Sequence, residues 1–168
     1  MNTASGRLVG IARRSARRVP MELVRSVEIA AGGGLEGDHK GLRFPKRGVT
    51  VLSLEAWESA IAELADLAGP LPLPWTVRRA NVLVEGVDLP RARGAILAIG
   101  AVRLEVTAQT YPCSRMEAAH PGLLKALAPD WRGGVCCRVI VGGRIAVGDT
   151  VEVLSSPPAE RALRLPGE

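Results

Sequence analysis

The chain contains 168 residues, 47% of them hydrophobic and 23% charged, so it is long and apolar enough for one folded domain and is not a disordered chain. No apolar run approaches the ~20 residues of a membrane-spanning helix, and the first thirty residues lack the apolar core of a secretory signal. The net charge of +5 comes from residues 1–50, which hold ten Lys/Arg against four Asp/Glu, but aromatic residues at 3% are too few for a nucleic-acid-binding surface.

The first half of the chain is predicted to contain two strands and one helix. Residues 7–11 and 21–29 are expected to pair across an arginine-rich loop. Ser53 is a candidate N-cap for a helix with Glu55 in its first turn, and Gly69-Pro70 is expected to end that helix. The helix is indicated by apolar residues at four-three-four spacing: Trp57, Ile61, Leu64 and Ala68.

The second half is predicted to be mostly strands. The Pro-rich segment 69–75 is expected to be an extended connector, and residues 81–85 a strand that Gly86 closes. Two hairpins with glycine-containing turns follow. Their strands are residues 96–99, 102–108, 139–141 and 144–147. Gly148-Asp149 then turns the chain into a last strand over residues 151–154.

These elements define a fold class. A second, shorter helix is predicted over residues 123–127. Several short strands with glycine turns, together with one or two short helices, indicate a mostly β (α+β) fold with a closed or nearly closed β-barrel. Residues 1–154 are assigned to a single domain and residues 155–168 to a loose C-terminal tail.

Cys113 is the candidate functional cysteine. Cys136 and Cys137 lie in an apolar strand, where neighbouring side chains face opposite ways, and they are interpreted as core residues. Cys113 follows Pro112 where a strand ends, and the nearby Arg115 favours the thiolate, which binds soft metals and attacks sulfur. Three cysteines, two of them adjacent, argue against disulfides and indicate a reducing cytoplasm.

Two polar segments are candidates for ligand binding. Arg79 and Asn81 are two residues apart on a segment expected to be extended, so they would share one face as a phosphate clamp with an amide beside it. The alternative is an exposed basic patch. Asp38 is either a turn residue with an Asx-type hydrogen bond or part of a polar loop beside a site.

The two histidines do not complete a site at the level of sequence. His39 and His120 have no metal-ligand spacing with each other or with Cys113. A zinc site and a Cys-His hydrolase therefore remain weak alternatives. The glycines of segment 32–37 do not indicate a dinucleotide-binding loop, because no helical pattern follows them.

Short segments spread over residues 7–154 occur in the order of a known family. They are GLEGDH at 34–39, RGVTVLS at 47–53, RANVLVEGVDL at 79–89, the strand between Gly94 and Gly100, PCSRME at 112–117, Gly133-Gly134, and residues 138–149. On these segments the chain resembles a small stand-alone MOSC domain, named for the C-terminal domain of molybdenum cofactor sulfurase. It departs from relatives at Lys40, where they often have a histidine two positions after the aspartate.

The resemblance implies a fold and a site. The fold would be a closed barrel similar to that of the small domain of pyruvate kinase. The functional cysteine would be Cys113, which in relatives that bind molybdenum cofactor ligates the metal. Arg79 and Asn81 would help hold the pterin phosphate. The expected cofactor-binding set is Arg79, Asn81, Arg115, Asp38 and Thr110.

The resemblance leaves three functions open. The first is reduction of N-hydroxylated compounds by bound molybdenum cofactor with electrons from a redox partner, since no haem, flavin or iron–sulfur signature is present in this chain. The second is a sulfur carrier, in which Cys113 takes persulfide sulfur from a pyridoxal-phosphate cysteine desulfurase and Arg115 stabilises the outgoing thiolate. The third is a non-catalytic binding module. The basic surplus would help to draw in an anionic small-molecule ligand, and neither nucleic acid nor membrane is an expected partner.

Overall fold

Short strands make up most of the chain, as the apolar runs between glycine turns predict. The computed structural model describes residues 5–41, 43–68 and 73–160. The elements in these ranges are β1 (Gly6–Arg13), β2 (Glu22–Val24), β3 (Ser26–Ile29), β4 (Val49–Ser53), α1 (Leu54–Ala68), β5 (Val82–Glu85), β6 (Ile96–Ile99), β7 (Val102–Gln109), α2 (Ser114–Ala119), α3 (Leu123–Leu127), β8 (Val135–Val141), β9 (Gly143–Ala146) and β10 (Thr150–Ser155). None of the helices in these ranges combines the length and the apolar character that a membrane crossing requires.

Seven strands close into a β-barrel. Around the barrel each strand is hydrogen-bonded to the next in the order β10, β6, β7, β8, β4, β5 and β1. Strand β1 in turn pairs with β10 and closes the barrel. Closure depends on β1, which pairs along its length with β5 and, through Gly6 and Arg7, with β10. Six of these seven pairings are antiparallel, and β4 with β5 is the parallel one. The expected mostly β fold with a closed barrel and few short helices is confirmed.

Two hydrophobic clusters stabilise the barrel and its helical layer. The alternation along β7 points Val102, Leu104 and Val106 into the barrel, where each is at most 1% exposed. Burying a side chain of this size contributes roughly 1.5–3 kcal/mol, before the entropy of ordering the chain is subtracted. Outside the barrel, α1, α2 and α3 pack on a second cluster that includes Trp57 and Met116. Met116 thereby holds α2 against the barrel wall.

The helices match the sequence signals unevenly. The Oγ of Ser53 accepts a hydrogen bond from the N–H of Ala56 at 3.1 Å, so the predicted N-cap of α1 is confirmed. The short helix predicted over residues 123–127 is α3. Helix α2 has no counterpart among the predicted elements, because its six residues are too few for a periodic pattern. The predicted stop at Gly69-Pro70 and the first part of the connector lie outside the described residues.

One predicted hairpin is confirmed, a second does not form, and the predicted strand pair near the N-terminus is confirmed in part. Residues 96–99 and 102–108 pair as expected, with Ile99 opposite Val102. The hairpin predicted over residues 139–147 does not form: β4 and β7 occupy both edges of β8, so β9 pairs with β3 instead. The strand predicted over residues 21–29 is divided into β2, which pairs with β1, and β3, which pairs with β9.

The C-terminal segment stays close to the barrel as far as it is described. Glu160 donates its backbone N–H to the carbonyl of Arg91 at 2.7 Å. Its carboxylate accepts from the backbone and the guanidinium of Arg93 at 2.6–3.0 Å. Residues 161–168 of the predicted tail lie outside the described residues, and the domain boundary at residue 154 stays a prediction.

Candidate functional site

A buried guanidinium organises the loop that carries Cys113. The loop connects β7 to α2, and its cysteine is exposed. Arg78, at 6% exposure, donates from Nε to the carbonyl of Gly133 at 3.0 Å and from Nη2 to the carbonyls of Thr110 and Tyr111 at 2.9 and 3.3 Å. One side chain therefore fastens the start of the cysteine loop to the segment before β8.

Cys113 lines a cavity of about 420 Å³ that is surrounded by positive charge. Eight basic residues line it: Arg14, Arg17, Lys40, Arg43, Arg47, Arg78, Arg79 and Arg115. Within the part of the chain that the structure describes, no Asp or Glu lines this cavity, which we call the basic cavity. Five of the eight belong to residues 1–50, so much of the basic surplus of that segment converges on Cys113.

Lys40 contributes a partly desolvated ammonium to the basic cavity. Its Nζ donates to Oδ1 of Asn81 at 3.1 Å and to Oγ1 of Thr50 at 3.4 Å. An ammonium has three protons, so one remains for a ligand. Burial lowers the pKa of Lys40, and the carboxylate of Asp38 opposes that shift only in part.

Asn81 lies behind the cavity rather than in its wall. It is 0% exposed, its Oδ1 accepts from the N–H of Thr50 at 3.0 Å, and its Nδ2 donates to the carbonyl of Ala12 at 3.2 Å. Arg79 has a φ of 64°, because it ends a turn of 3-10 helix. The extended geometry on which the predicted clamp depended is therefore wrong. Arg79 lines the cavity itself, whereas Asn81 is connected to the cavity through its hydrogen bond with the ammonium of Lys40.

Two buried polar atoms on the cavity wall have no hydrogen-bond partner among the described residues. They are Nη1 of Arg14 and Nδ1 of His39. Burial lowers the pKa of Arg14, and nearby Asp38 counteracts this in part. Leaving a buried polar group unpaired costs about 1–3 kcal/mol.

The cavity brings together four of the six residues that the sequence proposes for the site. Cys113, Thr110, Arg79 and Arg115 line it. Asn81 is behind it, as is Asp38, whose carboxylate accepts from the backbone N–H groups of Arg14 and Lys40 at 3.0 and 3.4 Å. Their roles in binding stay predictions.

Sequence reasoning missed three residues that shape the cavity: Arg14, Lys40 and Arg78. The basic surplus of residues 1–50 and the position of Lys40 beside Asp38 were the available signals for the first two. Nothing in the local pattern separates Arg78, which is buried, from Arg79, which is half-buried. Their different roles follow from the turn of 3-10 helix that lies between α1 and β5.

The remaining cysteines and histidines do not form a second centre. Cys136 and Cys137 are both buried, as predicted, and burial raises the pKa of Cys137. The Sγ of Cys136 lies 3.3 Å from Oγ1 of Thr110, beneath the cavity wall. The Nδ1 of His120 forms a hydrogen bond with the carbonyl of Pro121. Among the described residues, no group of three or more His, Cys, Asp or Glu side chains is placed to hold a metal ion.

The geometry defines the class of protein: a closed β-barrel domain with an exposed thiol on a strongly basic cavity. The sequence model of the MOSC domain family matches residues 39–152, which is more than half of the chain and includes Cys113. The chain belongs to the MOSC domain family. No curated protein has a sequence that matches this chain significantly.

Solved structures of similar fold come from bacteria. The YuaD protein of Bacillus subtilis superposes with a TM-score of 0.69 at 19% identity, over 89% of this chain and 95% of that one. YiiM from Escherichia coli and YiiM from Geobacillus stearothermophilus each give a TM-score of 0.59 at 19% identity. Both alignments cover 89% of this chain, with 70% and 73% of the respective YiiM chains. These likenesses show that the fold is shared.

Proposed function

We propose that this chain binds molybdenum cofactor in the basic cavity, with the thiolate of Cys113 as a ligand of the metal. The observation that carries the proposal is an exposed thiol on a cavity lined by eight basic residues. A thiolate suits a soft metal centre, and guanidinium forks suit a phosphate. The volume of about 420 Å³ is within the range of small-ligand sites, roughly 300–1,000 Å³.

The polar groups of the cavity fit the anionic part of such a cofactor. Lys40 has one ammonium proton beyond its bonds to Asn81 and Thr50, and the guanidinium of Arg14 adds a second cation to the cavity wall. A phosphate supplies several acceptor oxygens, which would pair with these donors and neutralise their charge. The same groups would hold a hydrophobic substrate poorly, because their charges would be desolvated without compensation.

Each residue then has a distinct role. Arg14, Lys40 and Arg79 would hold the phosphate, and Cys113 would hold the metal. Arg78 donates its hydrogen bonds to backbone carbonyls and would keep the cysteine loop in place. When bound, the cofactor would supply oxygen-atom transfer chemistry with electrons from a separate donor, and N-hydroxylated compounds are the proposed substrates.

The exposure of Cys113 also favours a second candidate, the sulfur carrier. In that function the thiolate of Cys113 attacks the outer sulfur of a persulfide on a cysteine desulfurase. A new S–S bond forms on Cys113, the S–S bond of the donor breaks, and the donor cysteine leaves as a thiolate. Arg115, which lines the same cavity, would attract the negative charge of the donor's terminal sulfur.

The test is the molybdenum content of the protein purified from cells that make the cofactor. Wild type is compared with Cys113→Ser and with Cys137→Ala, a control that removes a buried core thiol. We expect about one molybdenum per chain in wild type and in the control, and none in Cys113→Ser.

Two other results would decide against cofactor binding. Molybdenum retained by Cys113→Ser would show that the thiolate is not its ligand. Absence of molybdenum from all three proteins, with a reducible addition of one sulfur to the intact mass of the two that keep Cys113, would establish the sulfur carrier instead.

A further inference from the structure

The chain's single phenylalanine and single tyrosine both line the basic cavity. Phe44 and Tyr111 are each 50% exposed, whereas Trp57 and Trp131 are buried at 4% and 8%. Aromatic rings normally bury most of their surface in a core or an interface. Two half-exposed rings on one cavity therefore indicate that something covers them in the functional state.

Both residues are held by the backbone structure around the cavity. The N–H of Phe44 donates to the carbonyl of Lys40 at 2.9 Å, and its carbonyl accepts from the N–H of Arg47 at 2.8 Å. The carbonyl of Tyr111 accepts from Nη2 of Arg78 at 3.3 Å. The backbone of each aromatic residue is thus hydrogen-bonded to a basic residue of the cavity, although the two aromatic residues come from distant parts of the sequence.

We propose that Phe44 and Tyr111 form a stacking site for a planar heteroaromatic ring carried by the anionic ligand of the basic cavity. The inference rests on the proposed function to the extent that it needs an anion in this cavity. Aromatic side chains beside cations favour a flat ring joined to a negative group, because ring stacking and charge attraction then act on one molecule. The ligand class is a phosphorylated planar heterocycle, and for molybdenum cofactor the ring would be its pterin.

The alternative covering is a partner protein that packs on the same rings. A ring on the ligand is favoured because these two residues and the cations line the same concave cavity. An aromatic patch for a protein partner would be expected on a flatter surface with a polar rim. Stacking also explains why a cavity with eight cations keeps apolar rings that a bare oxyanion does not need.

The test uses the full chain and compares guanosine 5′-monophosphate with ribose 5-phosphate by isothermal titration calorimetry. The two probes share the sugar phosphate, and only the first has a planar ring. We expect the nucleotide to bind about tenfold more tightly to wild type. Phe44→Leu and Tyr111→Leu should each reduce this advantage, and the double variant should abolish it, with ribose 5-phosphate affinity unchanged. Phe44→Trp and Tyr111→Phe, which keep a flat ring, should preserve it.

Three outcomes would overturn the inference. Equal affinities of wild type for the two probes would remove the stacking site and leave the anion site intact. A nucleotide advantage that survives in the double leucine variant would place ring recognition elsewhere. Failure of both probes to bind would remove the anion site and the stacking site together. Loss of molybdenum binding with a persistent nucleotide advantage would refute the proposed function and support this inference.

Discussion

Lys40 illustrates how a single residue at this site is held in an unfavourable state. Its ammonium is taken out of water by burial, and the pKa of Lys40 is lowered for that reason. The neutral oxygens of Asn81 and Thr50 accept hydrogen bonds from the ammonium, but neither provides a counter-charge. The negative charge of the Asp38 carboxylate compensates the charge of this ammonium only in part. A bound anion would complete the neutralisation.

Replacing Lys40 is predicted to change anion affinity and thermal stability in different ways. We expect Lys40→Met to weaken sulfate binding at least tenfold and to leave the thermal unfolding midpoint equal or higher, because a desolvated charge is removed and Asn81 keeps its bonds to Thr50. Lys125→Met, which changes an exposed lysine, is the control. Calorimetric titration and a thermal melt measure the two quantities. A variant that binds sulfate as wild type does would contradict the role assigned to Lys40.

The lowered pKa of Lys40 also predicts the pH dependence of binding. The ammonium attracts anions only while protonated, so sulfate affinity should fall as pH rises through a value below the ordinary 10.5 of lysine. The fall should be absent in Lys40→Arg, whose guanidinium stays charged in this range. Titrations between pH 7 and 10.5 check this, and an equal pH dependence of sulfate affinity in wild type and Lys40→Arg would be the contrary result.

The sign of the stability effect follows from the same shift. Because the pKa of Lys40 is lower in the folded state, the unfolded state binds its proton more tightly. The free energy of unfolding contributed by this group is therefore smallest below the folded pKa. It rises as the pH increases from that pKa toward 10.5.

At the scale of elements, the site depends on a close contact between the end of β7 and the segment before β8. Arg78 joins the two by its bonds to Thr110 and Gly133. A Cβ on Gly133 would overlap the carbonyl oxygen of Thr110 and approach the guanidinium at 3.1 Å. The glycine is required here because two backbone segments and a buried side chain meet in one place.

Gly133→Ala is predicted to disturb this contact. Overpacking against the Thr110 carbonyl and Arg78 should lower the free energy of unfolding by about 1–3 kcal/mol. It should also weaken sulfate binding, because the cysteine loop and the cations beside it must shift. Urea unfolding and calorimetry measure the two effects. A variant within about 0.5 kcal/mol of wild type would show that the contact relaxes freely.

The helical layer has its own local determinant in Ser53. The Oγ of Ser53 accepts the N–H of Ala56, one of the backbone groups that a helix start leaves unpaired. Ser53→Ala should lower the free energy of unfolding by about 1 kcal/mol, and Ser53→Asp should lose less because a carboxylate also caps. Urea unfolding of the two variants checks the order. Equal losses would mean that packing of α1, rather than its cap, determines the effect.

On the scale of the whole molecule, charge is distributed unevenly over a neutral barrel. Residues 1–50 carry the basic surplus, and the loop between β1 and β2 and the segment between β3 and β4 bring five of its cations to one cavity. Some exposed charges elsewhere form ion pairs, as in the surface pairs Arg93–Glu160 and Arg132–Glu63. The basic cavity, by contrast, joins eight cations with no carboxylate among its described lining residues, where an anion would bind.

Anions that occupy the cavity should stabilise the whole fold. Sulfate should raise the unfolding midpoint of wild type above its value in chloride at equal ionic strength, since a ligand bound to the native state shifts the folding equilibrium. Sulfate also stabilises proteins in general, so the same comparison is made with Lys40→Met. Scanning calorimetry should show a smaller sulfate effect in the variant. Equal shifts in both proteins would assign the effect to the solvent alone.

Much of the fold could be predicted because its signals are local. The period-two pattern of β7, the turn that follows β6, the cap of α1 and the bounds of α3 each depend on neighbouring residues in the chain. The end of the strand that precedes Cys113 is marked in the same way by Pro112. These signals suffice to predict a barrel and a thiol at the end of one of its strands.

Strand partners and the composition of the cavity were decided by tertiary structure. Strand β8 can pair with β9 only if one edge of β8 is free, but β4 and β7 occupy both of its edges. No local sequence pattern contains that information. The cavity likewise joins Arg14, Lys40 and Cys113, which are far apart in the chain and meet because the barrel closes. Periodicity records which side of a strand is buried, whereas long-range hydrogen bonding and charge convergence depend on the path of the whole chain.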